Sequence, residues 1–167
     1  MPPEIENRMD NGDDLNNMND AETALQMFDS GFNCAQAVLS AYADRFGIDE
    51  LMALRIPCGF GAGMARLQET CGAIIGGTMV IGLAMNENAK REEDILINKE
   101  KVYENIIDFT DKFKERNHTI KCRELLNCDI STEEGKNEYE KNNLRLKVCF
   151  KCIEDVIGIL NNFINNK

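Results

Sequence analysis

Seven cysteines in a chain of 167 residues that holds a single histidine, His118, are the side chains best suited to chemistry. Two of them follow polar residues able to cap a helix, in Asn33-Cys34 and Thr70-Cys71. A thiol in the first turn of a helix faces unpaired backbone N–H groups and the positive end of the helix dipole, both of which favour thiolate. Thiolates bind metals and form disulfides, so these positions point to redox or metal chemistry. Cys58 precedes a glycine-rich run, Cys122 and Cys128 flank a short helix, and Cys149 and Cys152 form a CxxC. Lys121, Arg123, Lys147 and Lys151 stand beside the second-half cysteines and add positive charge, although lysines on a helix often only solvate a face. Cysteine is also ordinary core material, an explanation that serves one scattered cysteine better than it serves a set this large.

The spacings separate the chemistries. Zinc knuckles come as paired CxxC motifs or as CxxC with HxxxH, and here one CxxC stands far from the single His118, which argues against a zinc ribbon. Cys149-Phe150-Lys151-Cys152 is followed by Ile153 where covalent haem attachment needs histidine, so c-type haem is excluded. Iron–sulfur ligation needs about four thiolates that converge in space and accepts them from scattered positions. Thiol–disulfide exchange needs only an attacking and a resolving thiol, for which the CxxC is the candidate, without the strand–helix context of a thioredoxin fold. Gly59-Phe60-Gly61-Ala62-Gly63-Met64 matches neither GxGxxG nor a P-loop and no strand precedes it, so a nucleotide site is not expected. Those glycines read instead as a loop running tightly past the next helix, near Cys71.

Helices must position these thiols. Ala24, Leu25 and Phe28 share one face of a first helix that starts at Asp20 and stops at Ser30-Gly31. Asn33 caps a second helix that buries Cys34, Ala37, Val38, Ala41 and Tyr42 and ends at Gly47; Asp49 caps a third, which ends before Pro57. Thr70 to Asn86 is uncharged but holds four glycines and falls short of a membrane span, so it reads as a buried central helix with Gly72 and Gly76 spaced for close packing. From Lys90 to Arg116, Ile95, Val102, Ile106, Phe109 and Phe113 recur at helical spacing. Thr119 reads as the cap of a short helix through Cys122, Leu125 and Leu126, Ser131 to Lys136 as a polar loop, and Ile153, Val156, Ile157, Leu160 and Ile164 as the buried stripe of a last helix. No alternating strand pattern appears. The expected class is all-α, a single compact helical domain of about six to seven helices around the glycine-rich central one.

Residues 1–19, rich in Asn, Asp and Glu, read as a disordered acidic tail, leaving residues 20–167 as the helical redox domain. A net charge of −10 argues against nucleic acid, whose binding requires a basic surface. The first twenty residues lack the composition of a secretory leader, so the expected compartment is the cytoplasm, where thiols stay reduced. Exposed helix faces leave room for a homodimer.

Thr70-Cys71-Gly72-Ala73-Ile74-Ile75-Gly76-Gly77, with the upstream Gly-Phe-Gly-Ala-Gly-Met, resembles the C_GCAxxG_C_C family of redox-active proteins, whose hallmark is a CGAxxG motif with four dispersed cysteines. A similar domain is part of split-Soret cytochrome c. The resemblance spans about residues 20–165. Cys34 in Asn-Cys-Ala-Gln-Ala-Val-Leu looks like the first family cysteine, Cys71 like the second, Cys122 in Cys-Arg-Glu-Leu-Leu like the third and Cys149 like the fourth. The glycine run is thinner than the family's, Cys128 stands where a glycine is expected, and Cys58 and Cys152 are additional. The resemblance implies a helical redox protein with those four cysteines as its site. The first expectation is that they bind an iron–sulfur cluster for electron transfer with a redox partner protein. A metal-free thiol–disulfide oxidoreductase or sensor, and a helical interaction domain with core cysteines, are the alternatives.

Overall fold

The structure, a computed structural model, describes residues 19–167. The expected tail therefore lies outside the described residues except for Asn19, which belongs to the fold. Its side chain accepts from the Glu22 N–H while the Glu22 carboxylate accepts from the Asn19 N–H, a reciprocal cap for α1 (Asp20–Asp29). Asn33 and Gln36 make the same arrangement at the start of α2 (Cys34–Ala41), as the Asn33-Cys34 pair suggests. Asp49 caps α3 (Glu50–Arg55) by accepting from the Met52 N–H. The second helix ends earlier than expected, and a 3-10 turn at Asp44–Phe46 carries the chain to Gly47, which ends it in the left-handed region.

A tight kinked turn, α4 (Gly61–Met64), then leads into the central helix α5 (Gly72–Met85). Apolar on every side, α5 packs against α2, against the long α6 (Glu92–Asn117) and against the last helix, α9 (Lys151–Asn165). Val38, Leu39 and Tyr42 from α2, Ile74, Val80 and Ile81 from α5, Phe109 and Phe113 from α6, and Ile153, Val156, Ile157 and Leu160 from α9 fill one core. All-α architecture holds: among the described residues there is no strand, only an isolated bridge between Thr70 and Lys121.

The contact of α5 with α2 depends on a missing side chain. A Cβ on Gly76 would stand 2.8 Å from the Ala35 carbonyl oxygen and 2.9 Å from the Val38 Cβ. Backbone cannot retreat from such a contact as a flexible side chain can, so the helices must move apart. Gly76→Ala is expected to lower unfolding free energy by about 1–3 kcal/mol. Denaturant unfolding checks this, and an unchanged midpoint would show that the interface has slack.

Four further expectations change. Thr70 pairs with Lys121 and does not cap α5; the N-cap position is Cys71 itself, with no side-chain capping bond. Thr119 does not occupy the N-cap of α7 (Cys122–Leu126), where Lys121 sits; its hydroxyl accepts from the Lys121 N–H and donates to Glu124 instead. The polar segment after Ser131 is a helix, α8 (Glu133–Lys141), capped by Thr132, so the chain holds more helical segments than its hydrophobic stripes suggest. Only Phe109 and Phe113 of the α6 stripe are buried, and Ile95 is exposed.

Candidate functional site

Chain segments far apart in sequence deliver the cysteines to one place. Cys34 is the first residue of α2, Cys71 the N-cap of α5 and Cys122 the first residue of α7. Cys149 lies in a π-helical turn, Arg145–Phe150, that runs into α9, and Cys152 follows in the first turn of α9. Together these five line a pocket of about 230 Å³ whose remaining wall is largely apolar, including Phe28, Phe32, Leu125, Leu126, Ile130 and Val148. Cys34, Cys71, Cys122 and Cys152 are buried and Cys149 is half-buried. Cys128 packs beside Cys122 without lining the pocket, and Cys58 is exposed. All seven thiols are free.

The glycine-rich loop closes this site by adopting a costly backbone. Ala62, Met64, Ala65, Arg66 and Gln68 all have positive φ, as does Gly63. Left-handed backbone costs a non-glycine residue about 1–2 kcal/mol, so bonds must hold the loop in place. The buried Gln68 donates from its amide to the Cys128 carbonyl and accepts from the Ile130 N–H. The Cys122 N–H donates to the Glu69 carbonyl and the Cys71 N–H to the Ile120 carbonyl, each at 2.7 Å. These bonds tie the loop to α7 and bring Cys71 and Cys122 to the same pocket.

Burial and the neighbouring thiols together set the electrostatics. Interaction with the neighbouring Cys71 thiol, then burial, hold the Cys34 thiol well above its usual range, with the Ala62 N–H pulling weakly the other way. Cys71 is raised by Cys152 first and by burial, while Cys34 opposes. Burial pushes Cys122 up to about 12, helped by Cys34, Cys149 and Cys128. It pushes Cys149 up to about 11 against the Tyr139 hydroxyl, which lies 3.7 Å from the Cys149 sulfur in a shared hydrogen bond. The thiolates expected from helix starts are therefore thiols in the protein alone. A helix dipole contributes about 0.3–1 kcal/mol at a terminus, whereas a buried unpaired charge costs several kcal/mol, so desolvation wins.

Of the cations that the sequence sets beside the cysteines, Arg123 favours the Cys122 thiolate, but by less than burial opposes it. Lys121 pairs with Glu124, Arg123 with Asp129, and Lys151 with Asp155. The cation that lines the pocket is Arg145, held by the Phe28 carbonyl and stacked 4.2 Å over the Phe28 ring. Tyr139, Arg145 and the pocket position of Cys152 are features that sequence reasoning misses. A CxxC on a helix places both thiols on one face, which is the signal for Cys152; Tyr139 and Arg145 offer none.

Residues 32–163 match the model of a family described as "Putative redox-active protein (C_GCAxxG_C_C)". The chain belongs to that family. The match takes in all seven cysteines and the whole pocket wall except Phe28 and Gly31. Searches among curated proteins and among solved structures give no match. Membership in the family makes this a redox-active protein at the level of the family's description, and the structure places Cys71-Gly72-Ala73-Ile74-Ile75-Gly76 at the head of α5. There the glycines have a structural reason: the Cys34 sulfur occupies the space beside Gly72, 2.5 Å from where a Cβ would stand.

Among the described residues, no group of three or more His, Cys, Asp or Glu side chains is arranged to hold a metal ion. Thiols are the donor type that an iron–sulfur cluster takes, and five of them line the wall of one pocket.

Proposed function

We propose that Cys34, Cys71, Cys122 and Cys149 hold an iron–sulfur cluster and that the protein transfers electrons. The observation that carries this reading is that four thiols from four separate segments line one apolar pocket of about 230 Å³. Such a cluster would supply reversible one-electron transfer. The chain's own residues do the rest. On ligation the four thiols would give up their protons, the metal's positive charge offsetting the burial that otherwise keeps them neutral. The Tyr139 hydroxyl is placed to donate to the Cys149 sulfur, and hydrogen bonds to ligating sulfur stabilise the reduced state. Phe28, Phe32, Leu126 and Val148 keep water from the sulfurs.

A reducing compartment such as the cytoplasm suits free thiols of this kind. No helix among the described residues is long and apolar enough to cross a membrane. With a net charge of −10, the chain is suited to a neutral or basic redox partner.

Purification under anaerobic conditions, followed by iron and acid-labile sulfide analysis and a visible spectrum, tests the proposal. Iron and sulfide in comparable amounts, with absorption that bleaches on dithionite addition, are expected. A colourless chain that stays free of iron and sulfide after anaerobic reconstitution would overturn it.

A further inference from the structure

A second cavity, of about 690 Å³, runs between α6 and the second half of α9 and shares no residue with the cysteine pocket. Its wall carries four cationic side chains, Lys101, Lys112, Arg116 and Lys167, against one acidic side chain, Glu115. The chain as a whole is strongly acidic, at a net −10. Charge is screened over about 8 Å at physiological ionic strength, so distant carboxylates do not cancel this local excess.

The cations fall into two pairs, one at each end of the groove. Lys112 and Arg116 stand one turn apart on α6, and the ion pair of Arg116 with Asp155 sets the start of α9 beside them. Lys101 lies about 16 Å from Lys112 along the helix axis. The Asn98 amide donates to the Met85 carbonyl and the Asn105 amide approaches the Met85 sulfur at 3.9 Å, which sets the end of α5 beside Lys101. Lys167 donates to the Ala84 carbonyl at that same end. Phe163, about 12 Å along α9 from Asp155, falls between the two pairs, and Ile159 lines the wall with it. Among the described residues, Lys112 pairs with Asp108, Lys167 with Glu87 and Arg116 through Nη1 alone with Asp155, while Lys101 pairs with none. Exposed pairs such as the first two are weak enough for an incoming anion to displace, and a guanidinium has further N–H donors to offer.

From this arrangement we infer that the groove between α6 and α9 binds an elongated organic phosphate with a phosphate group at each end of an apolar middle. A phosphate group bears close to two negative charges near neutral pH, so a pair of cations at each end matches it. The ammonium and guanidinium groups donate charge-assisted hydrogen bonds to its oxygens, and the middle of the ligand lies against Phe163 and Ile159. Glu115 adjoins Arg116 and lowers the pull of that end without cancelling it.

Titration calorimetry of the full chain with octane-1,8-diphosphonate tests the inference, and it reads binding whether or not iron is present. Saturable one-to-one binding is expected. Lys101→Gln and Lys112→Gln, both at exposed positions that leave the core untouched, should each weaken it about tenfold with an unchanged thermal midpoint, because each removes a charge-assisted hydrogen bond. Lys141→Gln, on α8 outside the groove, should leave the affinity as it is. Octylphosphonate, which has one charged end, and decanedioate, with a single negative charge at each end, should both bind at least about tenfold more weakly. No saturable binding to the unaltered chain, an affinity that neither groove substitution moves, or equal affinity for octylphosphonate or decanedioate would overturn the inference.

Discussion

Serine at any one of Cys34, Cys71, Cys122 or Cys149 is expected to lower bound iron at least about tenfold after anaerobic reconstitution, because loss of a direct ligand should cost no less than the loss of groups that merely orient ligands. Serine at Cys58, Cys128 or Cys152 is expected to leave it near the level of the unaltered chain. The comparison separates ligation from folding. Replacing a buried thiol by a hydroxyl costs about 1–3 kcal/mol where no partner satisfies it. That cost applies to Cys128 and Cys152, at 8% and 3% exposure, as much as to Cys71 and Cys122, both at 7%. If lost stability were the cause of lost iron, the Cys128 and Cys152 variants would lose it too. Iron content and thermal midpoint measured on all seven variants therefore decide the matter. Equal iron loss across the buried positions would mean that the four-ligand assignment is wrong.

What could be read in advance follows the physics of each element. Helix starts marked by Asn33 and Asp49 are legible because a side chain that accepts from backbone N–H groups two or three residues on is local chemistry. The central helix is legible because an uncharged, glycine-bearing run too short for a membrane has few other places to go. By contrast, α8 reads as a loop because Glu-Glu-Gly-Lys-Asn-Glu-Tyr-Glu-Lys has no apolar stripe; Thr132 and the burial of Gly135 and, in part, Tyr139 are what place it. Thr70 resembles a cap, but the long-range pairing with Lys121 draws it away from α5. Similar long-range contacts explain why Tyr139 and Arg145 reach the site unannounced. The direction of the thiol shifts was also out of reach, because a helix start is visible in sequence and burial behind a folded loop is not.

That loop carries the last expected result, at Gly63, the residue whose replacement should damage fold and site together. Its φ of +66° lies where a side chain costs about 1–2 kcal/mol, and a Cβ would stand 2.7 Å from the Cys122 Cβ and 2.7 Å from the Gln68 Cα. Relief by rotating a flexible side chain is not available, since one obstacle is backbone and the other is the first carbon of a buried cysteine. Gly63→Ala should therefore lower stability by about 2–5 kcal/mol, the backbone cost plus that of overpacking. Any relaxation that lets the chain fold must push Cys122 or Gln68 aside. Moving Gln68 strains the bonds from Cys122 and Arg123 to the Glu69 and Gln68 carbonyls, which hold α7 against the loop. Iron retention should thus fall in Gly63→Ala even at temperatures where it is fully folded. Gly77→Ala, whose clash is with the Phe109 and Val156 side chains and with none of the four cysteines, should lose stability with a smaller loss of iron. If the two variants lose iron in proportion to their stability alone, the loop does not position Cys122.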